Sequence, residues 1–454
     1  MGWGGTLRRV IRTLIAAVVL STAVAQAGGL VLPVGGVRSL QRAGALVAGA
    51  DDADSLWLNP AGLAVLRGNG KRALLFDAAY VYQTVDYTPV DASGVPQAGA
   101  SNLQPGHPVP QLAGALGIGE RLVIAGGMFA PYDAIHRYAA DGPARFASLD
   151  TTGSQYFVIT IGAAYAVSDR LRVGVALQNW VSRRVDQVVT SACTDAMCDP
   201  ADASRDMRLD IAQTDYLAPG GALGLSYSVA PSVVFGALVQ SPVRVSGTGD
   251  LTVHVPTAMQ FSSATVSGTH ADLAYTLPPS VRIGLEARPR SDLRIEAAFA
   301  VELWNVPGAT TITPDHVQLE NVVGGPYPLG EISIAHHGQA TFSPSLAVEW
   351  HPKDMMFGAG YAYETSGTPA RDVSVASVDA AKHVIGIGGG YEAEGWQIGA
   401  AIGIALLADV DVAPADASVP QQTPLREPRT TVPINAGRYQ STFLVGGLRF
   451  ARRF

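Results

Sequence analysis

From about residue 72 onward, apolar and polar positions alternate at every second residue, the period of a β-strand. Leu293, Ile295, Ala297, Phe299, Val301 and Leu303 share one face, and Arg294, Glu296, Ala298, Ala300 and Glu302 the other. Val281, Ile283 and Leu285 alternate with Arg282, Gly284, Glu286 and Arg288, and Met355, Phe357, Ala359 and Tyr361 with Met356, Gly358, Gly360 and Ala362. Such segments fall at 72–88, 108–119, 121–131, 154–167, 170–190, 207–229, 231–247, 278–289, 291–306, 338–351, 354–366, 381–393, 395–413 and 438–454. Their connections alternate between turns of one or two residues and loops of 14 to 31 residues. A water-soluble sandwich would also alternate, so periodicity alone does not say which face meets lipid. Short turns on one side and long loops on the other predict an all-β transmembrane antiparallel barrel of about fourteen strands.

The chain end points the same way. Leu444, Leu448, Phe450 and Phe454 lie on one face of the last segment, and the chain finishes on an aromatic residue. Arg452 interrupts that face, at a position where a long side chain can snorkel to the interface. Composition removes the other membrane architecture. Hydrophobic residues are 48% of the 454, charged residues 15%, and glycine is abundant at 50. Yet beyond residue 27 the longest apolar run, Ile398 to Ala408, has 11 residues, and a spanning helix needs about 20. The hydrophobicity excludes disorder, and the net charge of −7 excludes a basic nucleic-acid binder.

Residues 1–27 read as a secretory signal peptide, with Arg8, Arg9 and Arg12 before the apolar run from Leu14 and a small-x-small pattern at Ala25-Gln26-Ala27. Without its three arginines, 28 basic residues face 38 acidic ones, a net charge of about −10. Export places Cys193 and Cys198 in an oxidising compartment, where a disulfide closing a small loop is expected; a metal site is the weaker alternative, since no His lies near.

Residues 28–70 fit no spanning strand. Gly35-Gly36, Gly44, Asp51-Asp52, Asn59-Pro60-Ala61-Gly62 and Gly68-Asn69-Gly70 scatter turn formers among apolar residues. Some 43 residues are too few for an independent core, so this element is expected to pack inside the barrel, residues 71–454. Gly35, Arg42-Ala43, Ala50-Asp51-Asp52-Ala53 and Asn59-Pro60-Ala61 resemble, at their spacings, the N-terminal hatch of the FadL-type outer-membrane transport proteins. That family includes long-chain fatty acid transporters and TodX-like importers of aromatic hydrocarbons.

The resemblance implies a fourteen-stranded barrel plugged by a hatch, in the outer membrane of a Gram-negative bacterium. It implies uptake of a hydrophobic compound, with long-chain fatty acids the first expectation and aromatic hydrocarbons the alternative. Asp51, Asp52, Asn59, Pro60 and Ala61 take hatch and gating positions. Release is expected sideways at a kinked third strand, for which Gly126, Gly127 and Pro131 are candidates; glycines that merely fit a crowded lumen wall are the equal alternative, as expected for Gly386 and Gly388 to Gly390. The Asn-Pro pair is in any case a turn former. Asp51 and Asp52 are expected either to pair with lumen arginines such as Arg282 or Arg294 or to form a solvated turn. Loop residues Phe129, Tyr132, Ile135 and Tyr138 form one candidate ligand surface, and Val306, Ile312, Val317, Leu319, Val322, Val323 and Leu329 another. Arg137 or Arg145 could meet a carboxylate, although each reads equally as an ordinary surface arginine. The partners expected are the hydrophobic ligand, outer-membrane lipid and lipopolysaccharide, and the barrel assembly machinery, with no nucleic acid; the protein is expected to be a monomer without a cofactor.

No catalytic set stands out. His336-His337 falls in a polar loop, and the glycines of Gly386 to Gly390 lie in a strand without the following helix that a phosphate loop requires. A general diffusion porin and a barrel enzyme are the competing readings; a porin would lack the plug, and a barrel hydrolase would need Ser and His brought together on its wall.

Overall fold

The computed structural model describes residues 35–130, 135–334 and 337–454. The signal-peptide reading, and the positions of Pro131, Tyr132 and His336, lie outside them. Fourteen antiparallel strands close a ring: β1 (Arg72–Pro89), β2 (Gly106–Ile118), β3 (Leu122–Phe129), β4 (Gln155–Ala166), β5 (Leu171–Ser191), β6 (Asp206–Ala230), β7 (Val233–Gln240), β8 (Ser280–Arg290), β9 (Leu293–Leu303), β10 (Ala340–Trp350), β11 (Met355–Glu364), β12 (Lys382–Ala393), β13 (Trp396–Leu407) and β14 (Gly437–Arg453). β14 closes on β1 in continuous register from Ala73 opposite Arg453 to Pro89 opposite Gly437. Closure leaves no sheet edge within the ring, which an apolar membrane requires.

The alternation decides which face is lipid. Leu74, Phe76, Ile161, Leu177, Leu223, Ile387 and Leu448 are exposed on the outside of the wall, whereas Asp77, Glu286, Glu296, Glu349 and Arg449 are buried inside. A soluble sandwich would invert this. Each charge turned to lipid would cost about 2–4 kcal/mol at the midplane. At the short-turn end Tyr165, Tyr227, Trp350, Tyr391 and Trp396 are exposed on the wall, the aromatic girdle of a membrane interface. Arg452 joins it: its guanidinium lies 4.5 Å from the Trp396 ring centre and 5.2 Å from that of Phe454, and it donates to the Glu394 carbonyl at 2.9 Å.

On the long-loop side the sheet continues beyond the ring. Val243–His254 and His270–Leu277 extend β7 and β8 upward as a pair, and Thr310–Asp315 and Ile332–Ile334 add to it. Much of the expected 248–277 and 307–337 loops is therefore strand. Glycines within Val243–His254 and prolines between the shorter segments conceal this in the sequence. These strands enclose a second apolar core containing Met207, Leu209, Leu251, Phe261, Ile312, Val317, Leu319, Val322 and Leu329. Cys193 and Cys198 are bonded to each other in the neighbouring loop.

Residues 35–66 pack inside the ring. Helix α1 (Val37–Gln41), helix α2 (Ser55–Leu58) and the 3-10 turn Pro60–Leu66 are buried almost throughout. The segment packs against the inner faces of β5, β4, β6, β13 and β12 among others.

Candidate functional site: the lumen segment and its wall

Asn59 organises the last third of the inner segment. Its Oδ1 accepts from the Ala61 N–H at 3.2 Å, capping the 3-10 turn, and Pro60 occupies the first helical position, where its missing N–H costs nothing. The same amide donates to Val47 O at 2.9 Å and to Leu225 O of β6 at 3.1 Å. One side chain thus ends the segment's loop and ties it to the wall. The wall is bare where the turn touches it: a Cβ at Gly174 would collide with Pro60 and Ala61, and one at Gly224 with Asn59. Glycine has the same use at Gly386, whose missing side chain makes room for the Leu40 carbonyl, and Gly388 lies against Gln41. Gly389 departs from the lumen expectation. It lies one position out of phase and adjoins Phe357 on the lipid face.

Two charged networks seat the segment. In the first, Arg38 reaches Asp51 at 2.6 Å and Glu349 at 2.9 Å, and Arg42 reaches Glu349 at 2.8 Å and Glu296 at 2.7 Å. Glu296 also accepts from the backbone N–H groups of Val47, Ala48 and Gly49. Asp51 receives Arg294 at 2.9 Å, while Arg282 turns to Glu302 at 3.8 Å. In the second network Arg449 reaches Asp52 at 2.8 Å and Asp54 and Asp77 at 3.1 Å each. Burial acts to raise the carboxyl of Asp51, but Arg294 and Arg38 outweigh it and hold that carboxyl well below the ordinary range. At Asp54 burial dominates, with Asp52 and Asp77 adding to it against Arg449, and its carboxyl is pushed up to about 6. The sequence singled out neither Arg38, Glu349 nor Arg449, and placed Arg42 in the inner segment without an ion-pair role. The signal was available in strand phase, since Leu448 and Phe450 facing out put Arg449 inside.

The segment meets the wall through an aromatic trio. Trp57 of α2 stacks on Phe129 at the end of β3, with ring centres 5.8 Å apart, and meets Trp180 of β5 edge-on at 5.9 Å. Phe129 is fully buried there and is not on a loop surface.

The pairing of β3 is regular through Gly126 and Gly127, which face Gly114 and Ala113 on one side and Ile161 and Thr160 on the other. The described ladder stops higher up, at Leu112–Met128 towards β2 and Phe129–Val158 towards β4. β2 itself continues to Gly106 along β1. The Gln83 N–H donates to the Pro105 carbonyl, so strand alternation aims odd-numbered backbone groups at β1 and even-numbered ones at β3. Pro108 and Pro110 therefore present nitrogens without hydrogen on the β3 side, just beyond the last described pair.

The remaining loop candidates divide. Arg137 is bound to Asp150 at 2.8 Å and Arg145 to Asp206 at 2.7 Å. Tyr138 is buried with its hydroxyl donating to Val375 O at 3.2 Å, and Ile135 is half-buried. Ile312, Val317, Leu319, Val322 and Leu329 belong to the outer core, while Val306 and Val323 are exposed. His337 bonds Asp372. No group of three or more metal-binding side chains occurs among the described residues.

A sequence profile of outer-membrane transport proteins of the OMPP1/FadL/TodX type matches residues 18–443. The chain belongs to that family. Its members are outer-membrane β-barrels that transport hydrophobic compounds. The ring is similar to that of a Pseudomonas aeruginosa FadL homologue at 16% identity, covering 93% of this chain and 99% of the other, with a TM-score of 0.73. It is also similar to the P. putida toluene transporter TodX at 16% identity, 95% and 99% coverage and a TM-score of 0.62. The Ralstonia pickettii toluene transporter TbuX gives 16%, 90% and 96%, and 0.58. No curated protein matches the FadL/TodX-type chain in sequence.

Proposed function

We propose that this FadL/TodX-type barrel imports uncharged hydrophobic compounds, aromatic hydrocarbons foremost, past residues 35–66 acting as a hatch, and releases them sideways above Phe129. The observation that carries the reading is the Trp57–Phe129 stack. It joins the inner segment to the last described pair of β3, so moving the segment and opening the wall there are one event. Rings bind rings by offset stacking, and Trp57, Phe129 and Trp180 supply three at the inner end of the path.

A long-chain fatty acid brings a carboxylate that needs a cation. Arg137, Arg145 and Arg184 already hold Asp150, Asp206 and Asp186, and Lys382 holds Glu364 and Asp379. These pairs weigh towards the neutral ligand. Growth of a deletion strain on toluene or on oleate as carbon source separates the two. Loss of growth on toluene alone supports the reading, loss on oleate alone moves the substrate to fatty acids, and unimpaired growth on both defeats import.

A further inference from the structure

The ladder between β6 and the strand beyond it is interrupted once. β6 pairs with β7 over Ala222–Ala230 and with the outer strand Val243–His254 over Arg208–Gln213. Thr214 to Gly220 have no strand pairing on that side. On the other side β6 carries a bulge: Asp215 faces Ser182 and Ala218 faces Trp180, so Tyr216 and Leu217 together oppose Val181 of β5. Two residues against one interrupt the in–out alternation, and both side chains point outward, each 75% exposed. The bulge is held rather than frayed. Asp215 Oδ1 accepts from the Leu217 N–H and its Oδ2 from the Ser246 N–H, both at 2.9 Å, and the Asn179 amide donates to the Tyr216 carbonyl at 2.9 Å.

Its height follows from its neighbours. Below it the outward positions Val175, Leu177, Leu223 and Val239 are exposed and apolar. At and above it stand Asn179, Arg183, Arg244 and Ser246. The Tyr216–Leu217 knob therefore sits where the apolar belt gives way to the extracellular side.

Two arginines flank it. Arg183 faces outward from β5 opposite Thr214, and Arg244 faces outward from the strand across the interruption. Elsewhere on the extracellular half arginines are engaged, as in Arg137–Asp150, Arg145–Asp206, Arg208–Asp210 and Arg438–Asp409. Arg183 and Arg244 make no hydrogen bond or ion pair among the described residues, although carboxylates abound on this side. The nearby acid, Asp215, spends both oxygens on backbone N–H groups.

We propose that this knob and its two guanidinium groups bind the phosphorylated, multiply acylated glycolipid of the outer leaflet. Its phosphates meet Arg183 and Arg244, and its acyl chains descend past Leu217 along Leu177 and Leu223. Charge complementarity commits the site to this occupant: guanidinium forks match phosphate, and a belt of aliphatic side chains directly beneath suits acyl chains. The inference uses only the barrel's place in the outer membrane and stands whether the transported ligand is an arene or a fatty acid.

The test is titration of the purified full-length barrel in detergent with bis-phosphorylated lipid A, read by native mass spectrometry. Saturable one-to-one binding is expected, and the Arg183→Ala/Arg244→Ala double variant should bind on the order of tenfold more weakly or worse. Enzymatically dephosphorylated lipid A should show the same loss with the unaltered protein. Leu217→Ser tests the acyl contact and should weaken binding with both arginines intact. Heat-modifiable gel mobility confirms that each variant is a folded barrel. Unchanged lipid A binding by the folded double variant overturns the proposal, as does displacement of bound lipid A by millimolar inorganic phosphate, which would make this a free-anion site.

Discussion

Arg449 Nη2 lies 2.8 Å from Asp52 Oδ2, so the last strand of the barrel grips the segment that precedes the first. Both groups are buried, and the same guanidinium also holds Asp54 and Asp77. Removing one partner of a buried ionic cluster costs about 3–5 kcal/mol, because the remaining charges stay desolvated. Arg449→Ala is therefore expected to unseat the inner segment while the lipid-facing wall persists. Planar-bilayer recordings should show larger and noisier conductance than the parent protein, with heat-modifiable mobility retained. Arg449→Lys keeps the charge but not the fork and should fall between. Parent-like conductance in Arg449→Ala would remove the ionic cluster from any sealing role.

The wall was legible in the sequence because its physics is local. A period of two, short turns and an apolar face are properties of neighbouring residues, and Leu448, Arg449 and Phe450 display the alternation within three positions. The seating networks were legible only in part. Asp51 and Asp52 were expected to pair with Arg282 or Arg294 or to form a solvated turn; Asp51 meets Arg294, whereas Asp52 meets Arg449 and Arg282 meets Glu302. The Arg38–Glu349 pair joins residues 311 apart, and nothing in either neighbourhood names the other. The outer lobe reads as loop because its 12-residue strand Val243–His254 carries turn-forming Gly247 and Gly249 and its partners are shorter and separated by prolines. The Tyr216–Leu217 bulge was hidden because one extra residue within a long strand leaves the alternation on either side looking sound.

Asp54 predicts a pH dependence. Its carboxyl is raised to about 6 by burial and by its acidic neighbours, and its Oδ1 has no hydrogen-bond partner among the described residues. A carboxyl whose folded value exceeds its unfolded value, about 3.9, holds more protons when seated than when released. Its contribution is greatest below the unfolded value and is lost as pH rises through about 6. Backbone hydrogen exchange at residues 52–58, corrected for the intrinsic pH effect, should show stronger protection at pH 5 than at pH 7.5. Asp54→Asn should flatten that difference. An opposite slope would show that deprotonated Asp54 is the better-held form.

Trp57 connects the inner segment to the end of β3. Truncating a buried Trp costs about 3–5 kcal/mol, and here the loss falls on the Phe129 and Trp180 contacts. Trp57→Ala should loosen the segment and lower net uptake of a labelled arene by cells, because the ring that passes the ligand towards Phe129 is gone. Trp57→Phe preserves a stacking face and should recover most of the uptake. Equal uptake by the Ala and Phe variants would mean that the ring fills space without guiding ligand.

Gly174 tests the seating surface independently of charge. Any side chain there meets Pro60 and Ala61, which Asn59 fixes to the wall. Gly174→Val places a β-branched residue in a strand that otherwise suits it, so the ring is expected to form while the turn at Asn59–Ala61 is displaced. Limited proteolysis should then cut near residues 59–66, which the parent protein protects. Protection equal to the parent's would mean that the wall yields instead of the segment.

The end of the β3 ladder is the last point to test. Pro108 and Pro110 withhold two N–H donors from the side facing β3. Pro108→Val and Pro110→Val together restore those donors and add β-branched residues to the lipid face, so β2 and β3 gain the means to pair above Leu112. If hydrophobic ligands leave sideways here, zipping this edge should slow uptake of a labelled arene several-fold, at about one net hydrogen bond of roughly 1 kcal/mol per restored donor. The barrel should be no less stable to heat than the parent. Reverting either position alone should recover part of the rate. If uptake is unchanged while hydrogen exchange shows new protection at residues 108 and 110, the ligand does not pass through this wall and must leave through the lumen beside the inner segment.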